Sequence, residues 1–492
     1  MASTRTITVP TWSAAVRRVP DPVRVAALAL AVLAIEAVLA RSLVGEGISR
    51  FVLLFAGVLA VAFVFRFPLA TALVFLGFTD FVFHSTFFSY ELGPLSIRPH
   101  ELALAGLLAL AVLRPRRQSW GGAPGIALAA FLALIAVSGA VALAGAKAPL
   151  TDVFNWGRSF FPLTLFYVVV RLFPAPEQRR TLLTGAAVIA AVAGLVAVLV
   201  SLGWGFGDTL KGEGTQIIRE EEGLPGLLRV RLAGLSLGYG LFWYAVVRTA
   251  GAPAGRRLAW GMLLTSLAVA IAVSFNRNMW IGLFVGLLLM MVLGGPLVRA
   301  RLATAVAVGV AGVFLLASIG STTESRVLDP VVKRGATLFN PRQVSNESSL
   351  TDREQETHIA WTTAKQNLLL GVGPGVEFGV SNLEFIGPHS VILEPQLFLH
   401  NQYLYLLLIG GVPGLVAFLL FLGIPVARSF TRLPRDPAIL ACGVGVAMIM
   451  ISSIVAIYFS VEDMTAVLGL LTGVIAADTE TQAADRLKSG IG

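Results

Sequence analysis

The stretch TDREQETHIAWTTAKQNLLLGVGPGVEFG (Thr351–Gly379), followed after a spacer by LFLHNQYLYLLLIGGVPGLVAFLLFLGIP (Leu397–Pro425), decides how the chain is read. The second part is apolar for long enough to cross a bilayer, which takes about 20 residues of helix. The first part is polar and predicts a helix over 352–370. Asp352 would cap it, Glu354 and Glu356 would sit in its first turn, and Gly371 would stop it. The glycine-proline knot Gly371-Val372-Gly373-Pro374-Gly375 lacks the Gly-Lys-Ser/Thr ending of a nucleotide-binding loop. It therefore reads as a tight turn, able to hold a loop down over the helix ends. The pair His400-Asn401 stands at the mouth of the apolar helix. An ionisable group at the lip of a membrane span is costly to keep there, which marks a functional candidate.

Outward from this stretch, apolar runs recur from Val23 to Ala477. Of the 492 residues 56% are hydrophobic and 13% charged, against about 25% charged in soluble domains. This composition excludes a soluble globular chain. The expected fold is an all-α, polytopic membrane helical bundle of about 12–14 transmembrane helices with one large, partly helical extracytoplasmic loop. The spans read as 25–40, 49–65, 68–88, 99–113, 124–144, 157–172, 182–203, 230–247, 258–275, 278–294, 302–319, 401–424, 438–457 and 462–477. The first resembles a signal peptide but fits the charge pattern better uncleaved. In regions, 1–22 is a cytoplasmic tail, 23–319 an N-terminal transmembrane bundle, 320–400 the large loop, 401–477 the C-terminal helices and 478–492 a cytoplasmic tail.

The formal charge of +9 does not point to nucleic acid, because the arginines are scattered between apolar spans. With both termini in the cytoplasm, the short outer loops hold only Arg41, Arg50, Arg98, Lys147, Arg158 and Arg277, and the inner ones hold several times as many. That asymmetry sets the orientation. It places two long segments outside: 203–229, with the acidic triplet Glu220-Glu221-Glu222, and 320–399. The single cysteine, Cys442, rules out a disulfide framework and a cysteine-based metal site. No His-Glu-x-x-His, Cys/His cluster or Asp-x-Asp pair marks the outer side, so neither a metal nor a cofactor is expected.

Four residues could carry chemistry on that side. His400 can exchange a proton near neutral pH, as a base for a hydroxyl must; the alternative is a histidine that caps the helix. Arg277, in SFNRNMW, and Arg353, which opens the polar helix, could each offer a planar fork of donors to phosphate oxygens. Arg158, in NWGRSFFP, is a third such candidate. Their alternatives are snorkelling or solvated charges. Gly371, Gly373, Pro374, Gly375 and Asn401 would shape the loop and turn. The spacings Gly282-x-x-x-Gly286 and Gly410-x-x-x-Gly414 read as close helix packing.

The succession R-x-x-E, N-x-L-L-G-V-G-P-G, then H-N-x-Y-L-x-x-L-L-x-x-G-x-x-G-L resembles the signature of the O-antigen ligase and polymerase superfamily. The resemblance is specific over roughly Asn276–Leu422 and only architectural before it. It implies a metal-independent membrane glycosyltransferase of envelope polysaccharide biosynthesis. Such an enzyme would move a glycan from a polyprenyl-diphosphate carrier, such as undecaprenyl diphosphate, to an acceptor hydroxyl, with inversion. His400 would activate the acceptor, and Arg277 and Arg353, with Arg158 as a further candidate, would hold the diphosphate. Ser274 and Arg277 are spaced more widely than in the family pattern. The implied partners are the lipid-linked donor, a lipid, glycan or protein acceptor, and membrane lipids. The implied location is the cytoplasmic (inner) membrane, multi-pass, with the site on the outer face. A polymerase of the same superfamily is the nearest alternative. A lipid-linked oligosaccharide transporter or flippase is a more distant one, since the expected midplanes are almost free of charge. A non-catalytic scaffold would tolerate loss of His400.

Overall fold

A computed structural model describes residues 62–80, 90–92, 95–114, 119–201, 217–218, 229–230, 234–274, 276–304, 348–385, 391–395, 397–431 and 436–488. The chain divides into two compact units, Met1–Arg66 and Phe67–Gly492. Of the first, only a helical stretch over 62–66 is described. The expected span at 25–40, nearly all of those at 49–65 and 302–319, and the triplet Glu220-Glu221-Glu222 lie outside the described residues.

The second unit is a helical bundle. Its helices are α1 (Pro68–Asp80), α2 (Pro99–Leu113), α3 (Gly122–Ala144), α4 (Leu150–Arg158), α5 (Leu165–Leu172), α6 (Pro176–Ser201) and α7 (Leu235–Gly251). They continue as α8 (Ala254–Val273), α9 (Arg277–Leu293), α10 (Ser348–Gln366), α11 (Gln402–Thr431), α12 (Pro437–Ser452) and α13 (Glu462–Lys488). Among the described residues three antiparallel hairpins, which the sequence did not announce, interrupt the connections. They are β1–β2 (Tyr90–Leu92, Leu95–Ile97), β3–β4 (Ile217–Ile218, Arg229–Val230) and β5–β6 (Val380–Phe385, Val391–Pro395).

Among the described residues, three helices are long and apolar enough to cross a membrane: α3, α6 over Pro176–Val196, and α11. The span expected at 157–172 is instead a broken element. α4 ends at Arg158, a 3-10 turn follows over Phe161–Thr164, and the pair is bent by 41°. Pro162 in that turn and the polar run before it explain the break, since proline has no N–H to continue a helix. Shorter apolar helices cover Pro68–Thr79, His100–Leu113, Arg277–Leu293 and Pro437–Ser452. α13 runs on past the expected end at 477 to Lys488. Side chains such as Ile126 and Leu258, 73% and 74% exposed, give the flanks an apolar surface that acyl chains accept and water does not.

Contacts fix which helix ends share a face. At one end Arg179 meets Asp478 at 3.1 Å, Arg171 donates to the carbonyl of Arg114 at 2.8 Å, and Arg180 lies 3.9 Å from Asp436. At the other end lie His400, the first residues of α9, α11 and α13, and the last of α4. Between them an aromatic core joins α3, α5 and α11. Phe131 stands 4.9 Å from Phe418, Phe418 stands 4.8 Å from Phe459, and Phe166 stands 5.5 Å from Phe421.

The polar stretch docks on α11 through a break in that helix. Gly411 has φ 66 and ψ −173, a region open to glycine alone, and Pro413 has no N–H to offer the carbonyl of Ile409. The freed groups are all answered. Leu408 C=O accepts from Val372 N–H at 2.7 Å, Val412 N–H donates to Leu368 C=O at 2.8 Å, and Ile409 C=O accepts from Ser138 Oγ at 2.6 Å. In a bilayer each unanswered backbone group would cost several kcal/mol. Of these partners Val372 lies in the glycine knot and Leu368 just before it. Gly371, Gly373 and Gly375 all have positive φ, and a Cβ on them would run into the backbone of Leu408–Gly410, Ser138 and Asp152 respectively. The knot is thus wedged between α3, α4 and α11.

The small-residue spacings divide. Gly282 and Gly286 do admit close packing, against Tyr239 and Ser452 and against Trp243 and Met448. Gly410 faces Ile135, but a Cβ on Gly414 would meet nothing within 4 Å. The glycine that matters on α11 is Gly411. Gly411→Ala is expected to lower the thermal midpoint in detergent, the positive φ alone costing about 1–3 kcal/mol. Gly414→Ala, in open space on a helix, should be neutral or gain up to about 1 kcal/mol. Equal midpoints for the two variants would contradict this reading of the break.

Candidate functional site

The helix predicted over 352–370 runs from Ser348 to Gln366. Asp352 is therefore inside the helix and not its cap, and Glu354 and Glu356 are not in its first turn. The reason is a tertiary one. Arg353, Glu356, Ala360 and Ala364 recur at helical spacing; Ala360 and Ala364 are fully buried, and Glu354 is exposed. Glu356 meets His400, with His400 Nδ1 at 2.9 Å from Glu356 Oε2. The Glu356 side chain is 13% exposed and that of His400 29%. Arg353 is one turn before Glu356 on α10.

Asn401 bears on the helix-capping reading of His400. Its Oδ1 accepts from Leu404 N–H at 3.2 Å and its C=O from Tyr405 N–H at 2.9 Å, so Asn401 caps α11. His400 is left outside the helix, facing α10. Gln402, which the sequence reading passed over, is fully buried and clamps the same helix end. Its N–H donates to Ser453 C=O at 3.0 Å, its Nε2 to Leu399 C=O at 2.6 Å, and its Oε1 accepts from Ser460 Oγ at 2.9 Å.

The connector 453–461 thereby links His400's neighbour to Arg277's. Asn276 caps α9, its Oδ1 accepting from Asn278 N–H at 3.2 Å, and its Nδ2 donates to Tyr458 Oη at 3.2 Å. Asn278 Nδ2 donates to Val455 C=O at 3.3 Å. Arg277 is the first residue of α9, at the positive end of the helix dipole, where a cation is disfavoured unless an anion accompanies it.

Arg158 is placed differently from the other two arginines. Its Nε lies 3.4 Å from Glu462 Oε1, while Arg98 Nη1 and His100 Nε2 reach Glu462 Oε2 at 2.9 and 3.3 Å. Glu462 so joins the ends of α2, α4 and α13, and Asp463 beside it accepts from Ser236 Oγ at 2.6 Å. His100, Glu101 and Glu462 bring possible ligand atoms within 4.8 Å of one another. Two guanidiniums already answer Glu462, and their charge opposes a metal ion at this spot. A run of rings leads from the Arg158 helix towards His400. Trp156, on the same helix, stacks with Phe398 at 6.4 Å, and Phe398 meets the His400 ring edge-on at 5.9 Å.

His400, Arg277, Arg353 and the knot share one end of the bundle and one stretch of chain. Residues 260–419 match the family model described as O-antigen ligase. That segment, about a third of the chain, is similar to the O-antigen ligase family. The match takes in Arg277, Arg353, Gly371, Gly373, Pro374, Gly375, His400 and Asn401, and leaves out Arg158. No curated protein matches the chain. The O-antigen ligase match supports a membrane glycan-transferring function. The R-x-x-E pattern ends on Glu356 without giving it a role, and no sequence motif announced Glu462.

Removing the charge of Glu462 leaves Arg98 and Arg158 facing each other, and breaking a buried pair this way costs about 3–5 kcal/mol. Glu462→Gln should lower the thermal midpoint clearly, with Glu480→Gln at the far end of α13 as the comparison. An unchanged midpoint would remove the structural role given to this cluster.

Proposed function

We propose that the chain is a metal-independent transferase that moves a glycan from a polyprenyl-diphosphate carrier to an acceptor hydroxyl, in the manner of an O-antigen ligase. The observation that carries this is the position of His400. It is freed from capping by Asn401 and lies within the O-antigen ligase match together with Arg277 and Arg353. In this reading the acceptor O–H proton passes to His400 as the new bond to the sugar C1 forms. The bond from C1 to the carrier oxygen breaks, and its electron pair leaves with the diphosphate. Arg277, favoured in this role by the α9 N-terminus, and Arg353 stabilise the charge that grows there, the kind of term that is usually the largest in catalysis. Attack opposite the leaving group gives inversion. Arg158 is a support of this site through Glu462 and Trp156 before it is a phosphate ligand. The site faces outward from the cytoplasmic membrane, with both termini inside.

Two measurements test the proposal. In reconstituted membranes, His400→Gln keeps a hydrogen-bonding side chain without a titratable ring, so transfer should fall about 10²–10⁴-fold with donor binding retained. Arg277→Lys and Arg353→Lys should each lose about one to two orders of magnitude, the worth of one charge-assisted contact. Wild-type transfer by all three variants would end the assignment. For orientation, cysteines at positions 345 and 489 in a Cys442→Ala background are probed in intact cells with an impermeant thiol reagent. Labelling at 345 and not at 489 is expected; the reverse pattern sinks the outward-facing site.

A further inference from the structure

The geometry points to Glu356 as the positioning residue for His400, so that the extramembrane helix α10 is part of the transfer site; this rests on the reading of His400 as the base. A ring nitrogen that faces a carboxylate is held as N–H, which fixes the tautomer and leaves the other nitrogen bare. Glu356 Oε2 faces Nδ1 at 2.9 Å, which assigns the N–H to Nδ1 and the lone pair to Nε2. Nε2 has no hydrogen-bond partner among the described residues, and His400 is the more exposed member of the pair. The bare nitrogen is therefore the one an acceptor hydroxyl can reach.

The chain holds this pair from both sides. On the α11 side, Asn401 and Gln402 fix the helix start, and the edge of Phe398 limits rotation of the ring. On the α10 side, Ala360 and Ala364 bury the same face that carries Glu356. Two turns of chain later, the knot fastens the end of α10 to the break in α11 through Val372 and Leu368. Arg353, one turn before Glu356, is another charged group of the same helix. When the acceptor proton arrives at Nε2, the imidazolium forms beside a carboxylate already in place, and the Nδ1 proton stays where it was. The same logic orients histidine bases in unrelated hydrolases, where an amide in place of the carboxylate selects the wrong tautomer.

Two readouts test this on the full chain. The first is kinetic, with the lipid-linked donor in reconstituted membranes. Glu356→Gln should lower kcat at least about 10-fold, with the KM values for donor and acceptor little changed. Glu356→Asp should recover part of the loss, and Glu354→Gln, an exposed neighbour, should behave as wild type. The second readout needs no activity. Ring nitrogen NMR of protein labelled with nitrogen-15 histidine, at mildly alkaline pH and assigned by loss of the signal in His400→Gln, reports the tautomer directly. Wild type should carry the proton on Nδ1, and Glu356→Ala should shift it to Nε2, the form a free histidine side chain prefers. Wild-type kcat in Glu356→Gln, or one tautomer common to wild type and Glu356→Ala, overturns the assignment. Thermal midpoints are followed alongside. If Glu356→Gln fails to fold, the Nδ1 proton in wild type, together with partial activity of Glu356→Asp, still supports the pair, and an Nε2 proton in wild type overturns it. A wild type that transfers nothing defeats the proposed function and leaves the tautomer measurement to decide the pair by itself.

Discussion

Two backbone hydrogen bonds hold the arrangement together: Val372 N–H to Leu408 C=O and Val412 N–H to Leu368 C=O. They exist because α11 is broken at Gly411 and Pro413, inside what would otherwise be an uninterrupted membrane helix. A break at that depth exposes polar backbone to an apolar medium and persists only where other groups answer it. Here two of the answering groups come from the turn after α10, and the third is Ser138 on α3. The break and the loop thus depend on each other. Without that turn Leu408 C=O and Val412 N–H lose their partners, and without the break Val372 N–H and Leu368 C=O lose theirs.

This mutual dependence gives a polar, extramembrane helix a fixed register against a membrane helix. α10 is only weakly apolar and would be marginal in water by itself. Docked through Ala360, Ala364 and the knot, it places Glu356 against His400 to within hydrogen-bond distance. The other charged groups at this end are settled in two ways. Glu462 gathers Arg98, His100 and Arg158 into a cluster that joins three helix ends. Arg277 and Arg353 each stand on a helix of the family-matched segment.

Much of the architecture is legible in the chain because apolar runs and loop charges report directly on the bilayer. The helical bundle, the packing glycines Gly282 and Gly286, and the knot at Gly371–Gly375 all follow from local pattern. What pattern misreads is decided by tertiary contacts. Glu356 looks like a first-turn acid until α10 is seen to begin at Ser348, and its value lies in a residue 44 positions away. Gly411 hides beside the more conspicuous Gly410 and Gly414, because a single non-helical φ/ψ pair leaves no periodic trace. Arg158 reads as a phosphate ligand until Glu462, more than three hundred residues along the chain, arrives beside it. Among the candidate site residues, position along the chain was readable and pairing was not.

The account stands on the claim that the bond energy for transfer is already in a diphosphate-linked donor, and that this end of the bundle releases it. The most direct measurement is therefore made with purified protein in vesicles, given a polyprenyl-diphosphate glycan and an acceptor, with neither nucleotide nor added metal. Free polyprenyl diphosphate should accumulate in step with glycan appearing on the acceptor, and His400→Gln should suppress both together. Movement of the intact lipid-linked glycan across the bilayer, with no polyprenyl diphosphate released, would contradict the account and indicate a transporter.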